Sequence, residues 1–219
     1  MTAPSAEDLS ELETFIEGQR VVFRPIRPND KQRLSEGLER LSPQSRYRRF
    51  FRHVDHLSDK ELRYLTEVDF VDHVAWIAGL GDEQGEPAVG VARWIRIVGD
   101  THVAEGAVTV IDDWHGRGIG KTLLFLLARS ARSRDVHAFR AWVMGDNRPI
   151  LGVIGDLGVK RGKWEGGVVQ IDVPLPEKAE DLANSAAPLV LREVARGRLQ
   201  GEARPDGGRG TRLRGHDGV

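Results

Sequence analysis

The sequence predicts an α+β domain, and three features of its pattern carry that prediction. Helical hydrophobic spacing dominates about residues 30–66, a period of two takes over across 74–111, and strand and helix then alternate to about residue 173. The length of 219 residues suits one domain with tails. Hydrophobic residues make up only 40%, yet a chain this long still buries a full core.

The elements follow in order. Residues 1–17 hold Glu7, Asp8, Glu11, Glu13 and Glu17 with no base before Arg20; Leu9, Leu12, Phe15 and Ile16 recur at helical spacing, so a short docked helix is expected there. Residues 20–24 (Arg-Val-Val-Phe-Arg) form a first strand, closed by Pro25 and Pro28. Asp30 caps a helix to about Leu41, with Leu34, Leu38 and Leu41 on one face. Ser42-Pro43 supplies the N-cap and first position of a second helix over 44–51. Ser58 and Glu61 make a capping box for a third, through about Thr66. Residues 74–80, 88–98 and 102–111 then read as an antiparallel meander with Gly-Asp turns. An apolar helix over 123–132, a strand over 137–143, a helix over 147–156 and a strand over 168–173 complete the sheet. The division is an acidic N-terminal extension (1–19), the main folded domain (20–175), a linker with a short C-terminal helix (176–196) and a tail (197–219). That tail has seven glycines, five arginines and little to bury, so it is expected to be disordered.

Charge narrows the function. Lys and Arg total 32 against 33 Asp and Glu, a balance of −1 that argues against a nucleic-acid or membrane-surface partner. With no cysteine there is no disulfide framework, thiolate metal site or cysteine nucleophile. No signal pattern or spanning apolar run is present, and a cytoplasmic location is expected.

The most informative segment is Trp114-His115-Gly116-Arg117-Gly118-Ile119-Gly120-Lys121-Thr122, between a strand and a helix. Its three glycines let the backbone turn its N–H groups inward, and a helix N-terminus with Arg117 and Lys121 completes an anion pocket. A plain glycine-rich turn is the competing account, but such turns seldom need three glycines before a long apolar helix. A dinucleotide fingerprint fails, because its third glycine would fall on Lys121 or Leu123. A Walker loop matches at Gly120-Lys121-Thr122, but its leading glycine would be His115.

The pattern [Q/R]-x-x-G-x-[G/A] fits better. Residues 108–124 resemble the acyl-CoA-binding core of the GNAT superfamily of N-acetyltransferases. Asn147-Arg148-Pro149-Ile150-Leu151 and Leu157-Gly158 resemble its Asn-Arg-x-x-Leu helix start and Leu-Gly turn, and residues 45–51 are similar to a segment of bacterial protein-lysine acetyltransferase domains. His115 departs from the family's Gln or Arg. The resemblance spans about 20–175 and implies a central mixed, mostly antiparallel sheet flanked by helices on both faces. It also implies acetyl-CoA as donor: main-chain groups of Val108, Thr109 and Val110 toward pantetheine, residues His115, Gly116, Arg117, Gly118, Ile119, Gly120 and Lys121 around the pyrophosphate, and Asn147 on the far wall. In resembling mycobacterial enzymes a cyclic-nucleotide domain can precede the catalytic one. Only some twenty residues precede this core, so such regulation is expected to be absent.

The chemistry is attack of an amine on a thioester. A lysine amine, with a pKa of ~10.4, is almost wholly protonated at neutral pH, so a base must take its proton. Glu105 matches the Ala-Glu position of the resembling enzymes and is the expected catalytic base, on the premise that it is half-buried in its strand. Gly106 beside it is expected to widen the acceptor cleft. No tyrosine follows the Leu-Gly turn, so no general acid is assigned. His53 and His56, near Asp55 and Asp59, lack a third firm ligand, and no metal site is expected. The run Arg46, Arg48, Arg49 and Arg52 is read as a helix whose aromatics pack and whose arginines are solvated or line the acceptor groove. Glu67, Asp69 and Asp72 are candidates to attract a cationic amine. The resulting expectation is an acetyl-CoA-dependent N-acetyltransferase acting on a protein lysine. A small-amine acetyltransferase, a non-catalytic acyl-CoA sensor and a Walker-type nucleotide binder are the alternatives.

Overall fold

The computed structural model describes residues 9–81, 87–156 and 162–177. Eight strands form one sheet in the order β1-β2-β3-β4-β5-β6-β8-β7. In chain order the elements are β1 (Leu12–Ile16), β2 (Gln19–Pro25), α1 (Lys31–Glu39), α2 (Pro43–Phe50), α3 (Asp59–Thr66), β3 (His73–Gly79), β4 (Ala88–Ile97), β5 (Asp100–Val110), α4 (Ile119–Arg132), β6 (Ala138–Met144), α5 (Arg148–Asp156), β7 (Lys163–Glu165) and β8 (Val168–Pro174). Every neighbouring pair is antiparallel except β5 and β6, which run parallel around the α4 crossover. The mixed, mostly antiparallel sheet is the one expected.

The starts of α2 and α3 follow the capping chemistry, whereas Asp30 makes no side-chain cap on α1 because its buried carboxylate is taken by Arg24. Ser42 accepts the Ser45 N–H, and Ser58 and Glu61 form a reciprocal capping box. The apolar crossover helix begins at Ile119, four residues before its leucine-rich stretch, because Gly118 takes a left-handed φ of 84° as its N-cap. One short strand replaces an expected helix and another is an addition. Leu12–Ile16 is a strand, not a helix: Glu17 and Gly18 both have positive φ, the geometry of a tight hairpin turn, and the stretch pairs with β2 while burying Leu12. Gly166 and Gly167, also at positive φ, make a second such hairpin between β7 and β8.

Period-two alternation splits the sheet into two faces. Val74, Trp76, Ala78, Ala92, Trp94 and Ala104 meet α4 in the main core, around Leu123, Leu126 and Leu127. The Trp94 indole donates to Ser130 Oγ at 3.1 Å, so this buried ring has its polar atom satisfied. On the opposite face Ala75 and Ile77 pack with Ile26, Leu34 and Ala88, covered by α1 and α3. Among the described residues no helix is long and apolar enough to cross a membrane. The expected tail and C-terminal helix lie outside the described residues, as does most of the linker.

Candidate active site

The parallel pairing of β5 and β6 is short. Val103, Ala104 and Glu105 pair with Ala138, Phe139 and Arg140, and the ladder then stops. Beyond it β6 continues against β8, while residues 106–110 of β5 pair only with β4. A gap therefore opens beside β5, edged by main-chain groups of Val108 and Val110, while those of Thr109, two residues before the Ile111 N–H that bonds the Val89 carbonyl, turn toward β4. The Val110 carbonyl accepts a 2.8 Å hydrogen bond from His115 Nε2. That bond gives His115 a defined role, pinning the loop to the end of β5.

The loop closes the end of the gap. Gly116 and Gly118 hold φ of 77° and 84°, and α4 starts directly after them. The first N–H groups of a helix have no intrahelical acceptor, so those of Ile119 and Gly120 open toward an anion at the positive end of a 14-residue helix. Arg117 stacks over Trp114 with its guanidinium carbon 4.7 Å from the ring centroid, and its Nη1 lies 2.7 Å from Glu17. Glu17, in the β1–β2 turn, thus offsets part of the loop's positive charge. Lys121 sits in the first turn of α4. Asn147 precedes α5 at the end of β6, the strand on the other side of the gap, and its carbonyl accepts from Leu151.

Asp112 ties this loop to the helices. Its carboxylate accepts from the Ser42 N–H at 2.9 Å and from the Ser42 and Ser45 hydroxyls at 3.0 and 2.8 Å. Partial burial alone would raise its pKa, but these hydrogen bonds outweigh it and hold the carboxyl below its ordinary range. Asp112 was not singled out in the sequence; the paired serines at the start of α2 were the available signal.

Beneath α1, α2 and α3 a cleft of about 620 Å³, open mouth included, runs across β4 and β5. Arg49, Leu65, Arg93, Ala107 and Thr109 are among its lining residues. Glu105 lies on the same face as Ala107 and Thr109 by strand alternation, and its charge acts on Arg49. The cleft and the gap thus meet along one strand, with a carboxylate on the cleft side. A model of the acetyltransferase (GNAT) family matches residues 40–158. The chain belongs to this family.

Relatives agree. Acetyltransferase Pat of Mycolicibacterium smegmatis is 35% identical over 159 residues, covering 73% of this chain and 47% of that protein. Acetyltransferase PA5475 of Pseudomonas aeruginosa is 33% identical over 122 residues, covering 55% of this chain and 64% of that protein. The chain thus spans about half the length of the first and under two thirds of the second. The crystal structure of the GNAT domain of S. lividans PAT superposes with a TM-score of 0.69 at 31% identity, covering 78% of this chain and 99% of that one.

Several sequence expectations need correcting within this GNAT domain. Glu105 is exposed, not half-buried as expected. Gly106 points to the α4 face, where a Cβ would come within 3.1 Å of Phe139; its small size admits that ring and does not widen the acceptor cleft. The three acids proposed to draw in an amine have structural partners. Asp69 accepts from the N–H groups of Val71, Asp72 and His73 at 2.8–2.9 Å, Asp72 pairs with Arg96 at 2.7 Å, and Glu67 pairs with Lys31 at 2.5 Å. On α2, Phe50 packs against the core, but Tyr47 and Phe51 are exposed. Arg46, Arg48 and Arg52 pair with Asp55, Asp146 and Glu61, which leaves Arg49 for the cleft. The Leu157-Gly158 turn lies outside the described residues.

Among the described residues one group has metal-ligand proximity, and it lies away from the cleft. His102, Asp135 and His137 place ligand atoms within 4.8 Å of one another on the surface. Arg132 donates to His137 Nδ1, so Nε2 carries the proton that it donates to Asp135 at 2.8 Å. The cluster is therefore satisfied as a hydrogen-bonded network without an ion.

Proposed function

We propose that this chain is an acetyl-CoA-dependent N-acetyltransferase whose catalytic base is Glu105. The observation that carries the proposal is the meeting of three features on β5: a gap edged by free strand backbone, a helix N-terminus behind left-handed glycines, and a carboxylate facing the cleft. A pantetheine arm fits the first as an added strand, taking main-chain hydrogen bonds from Val108 and the Val110 N–H. The pyrophosphate fits the second, held by the amides after Gly118, with Gly116, Arg117, Gly120 and Lys121 around it and Asn147 on the facing strand's end. His115 acts through the loop it pins.

Acetyl-CoA supplies an activated thioester whose carbonyl carbon the acceptor amine attacks. Glu105 faces the cleft and is positioned to take the proton that the amine must lose, directly or through water. The resemblance of residues 45–51 to protein-lysine acetyltransferase domains favours a protein lysine over a small amine, and the need for acetyl-CoA favours the cytoplasm. Thiol release from acetyl-CoA, followed with lysine peptides and small amines, tests the reading. Acetylated lysine found by mass spectrometry supports it. Tight acetyl-CoA binding with no transfer to any amine would instead favour a sensor, and ATP hydrolysis would favour the nucleotide-binding alternative.

A further inference from the structure

Among the described residues, two arginines face the cleft without a carboxylate bonded to either. Arg93, on β4, is buried; its Nη1 donates to His73 Nε2 at 3.0 Å and its Nη2 to the Leu65 carbonyl at 3.2 Å. Both acceptors are neutral: burial, reinforced by the Arg93 charge and opposed by Asp69, pushes His73 down to about 4. Arg49 reaches the same cleft from α2, with the Phe50 ring 5.2 Å from its guanidinium carbon and Glu105 as its opposing charge. The two guanidinium groups sense each other. Burial, and then the Arg49 charge, draws Arg93 down to about 9 against a pull from Tyr64, which still leaves it protonated at neutral pH. Thr109 Oγ1, also lining the cleft, is buried with no hydrogen-bond partner among the described residues. Arg33 is different, since it lies 3.8 Å from the buried carboxylate of Asp30.

Like charges held together, here one buried and one half-buried, are costly unless an anion joins them. Glu105 supplies one negative charge for two positive ones, and it is exposed. We propose that the cleft holds an anion subsite for the acceptor, in which Arg49, Arg93 and the Thr109 hydroxyl bind a carboxylate carried close to the acceptor amine. A purely cationic amine entering this cleft meets two guanidinium groups of its own sign. An acceptor with both charges presents its carboxylate to the arginines and its amine to Glu105. Guanidinium is suited to this task, because it offers forked donors to a planar carboxylate. The inference rests on the acetyltransferase reading and narrows its acceptor. The carboxylate has two sources: an acidic side chain beside a protein lysine, or the acid group of a small amino acid.

Paired acceptors that differ only in the anion test the subsite. Nα-acetyl-lysine is compared with its amide, and a lysine peptide with a neighbouring Glu is compared with its Gln counterpart. The carboxylate member of at least one pair is expected to have roughly tenfold higher kcat/KM, the scale of one charge-assisted contact. Preference in the peptide pair identifies the protein source, and preference in the amino-acid pair identifies the small one. Arg49→Gln brings the ratio toward one and Arg49→Lys restores part of it, with CoA titration by calorimetry checking that each variant is folded. Equal rates within both pairs overturn the subsite and leave acetyl transfer standing. Binding of the same pairs to the CoA-loaded protein separates the two claims. A carboxylate preference in binding without turnover would sink acetyl transfer alone, whereas equal binding would sink the subsite.

Discussion

On one face of β4 and β5, Ala92, Trp94 and Ala104 meet α4 in a closed apolar core. On the other face of the same strands, Arg93, Ala107 and Thr109 line an open cleft with charged groups in it. A shift of one residue along a strand moves a side chain from one environment to the other, because successive Cβ atoms point to opposite faces. The closed face holds the sheet to its crossover helix, which fixes the loop and the gap beside β5. The open face is left to carry chemistry. Stability and acceptor selection are therefore separable by substitution within the same few strands.

The largest stability effect belongs to the closed face. Leu126 is fully buried against the sheet, and Leu126→Ala is expected to cost about 2–5 kcal/mol in a denaturant titration, from lost transfer energy and the cavity left behind. A cost near zero would mean that α4 is not held by this packing. The boundary between the faces comes next. Gly118→Val forces a β-branched residue into a left-handed conformation at about 1–3 kcal/mol of strain. Its expected signature is an acetyl-CoA affinity reduced by more than about tenfold with the sheet still folded. Unchanged affinity by calorimetry would remove the loop from the donor site.

Asp112→Ala is the smaller perturbation, costing roughly 1–3 kcal/mol for its lost hydrogen bonds. Its pH dependence has a definite sign. The folded carboxyl lies below the ordinary range, so its contribution is fully present above the unfolded pKa of ~3.9. It disappears as pH falls through the lower folded value. Melting temperatures at neutral and acidic pH should therefore differ more for the wild type than for the variant. An equal acid loss in both would assign that loss to other carboxylates such as Asp69, which is lowered in the same way by the three N–H groups it accepts from.

The sequence carried the caps, the meander and the crossover legibly, because each rests on local chemistry: Ser58 with Glu61, Ser42 with Pro43, and alternation through β3, β4 and β5. It misled at Leu12–Ile16, where five residues are too few to separate a helical period from a strand and the Glu17-Gly18 turn decides. The loop was visible from its glycines. The Asp112 link and the Glu17–Arg117 pair were not, since both join segments far apart in the chain. Arg93, a cation in the middle of the apolar run of β4, is itself a signal that one face of that strand is functional.

Turnover by Glu105→Gln as a function of pH tests the central claim most directly. The substitution keeps the side chain's shape and removes its capacity to accept a proton. Acetyl-CoA affinity should match the wild type, while turnover falls by roughly 10²–10⁴-fold at neutral pH. The deficit should narrow as pH climbs toward the ~10.4 of a lysine amine, because the acceptor then arrives already deprotonated. Wild-type turnover in the variant at neutral pH would contradict the account, and a deficit that stayed constant across the pH range would reassign Glu105 from proton acceptor to positioning residue.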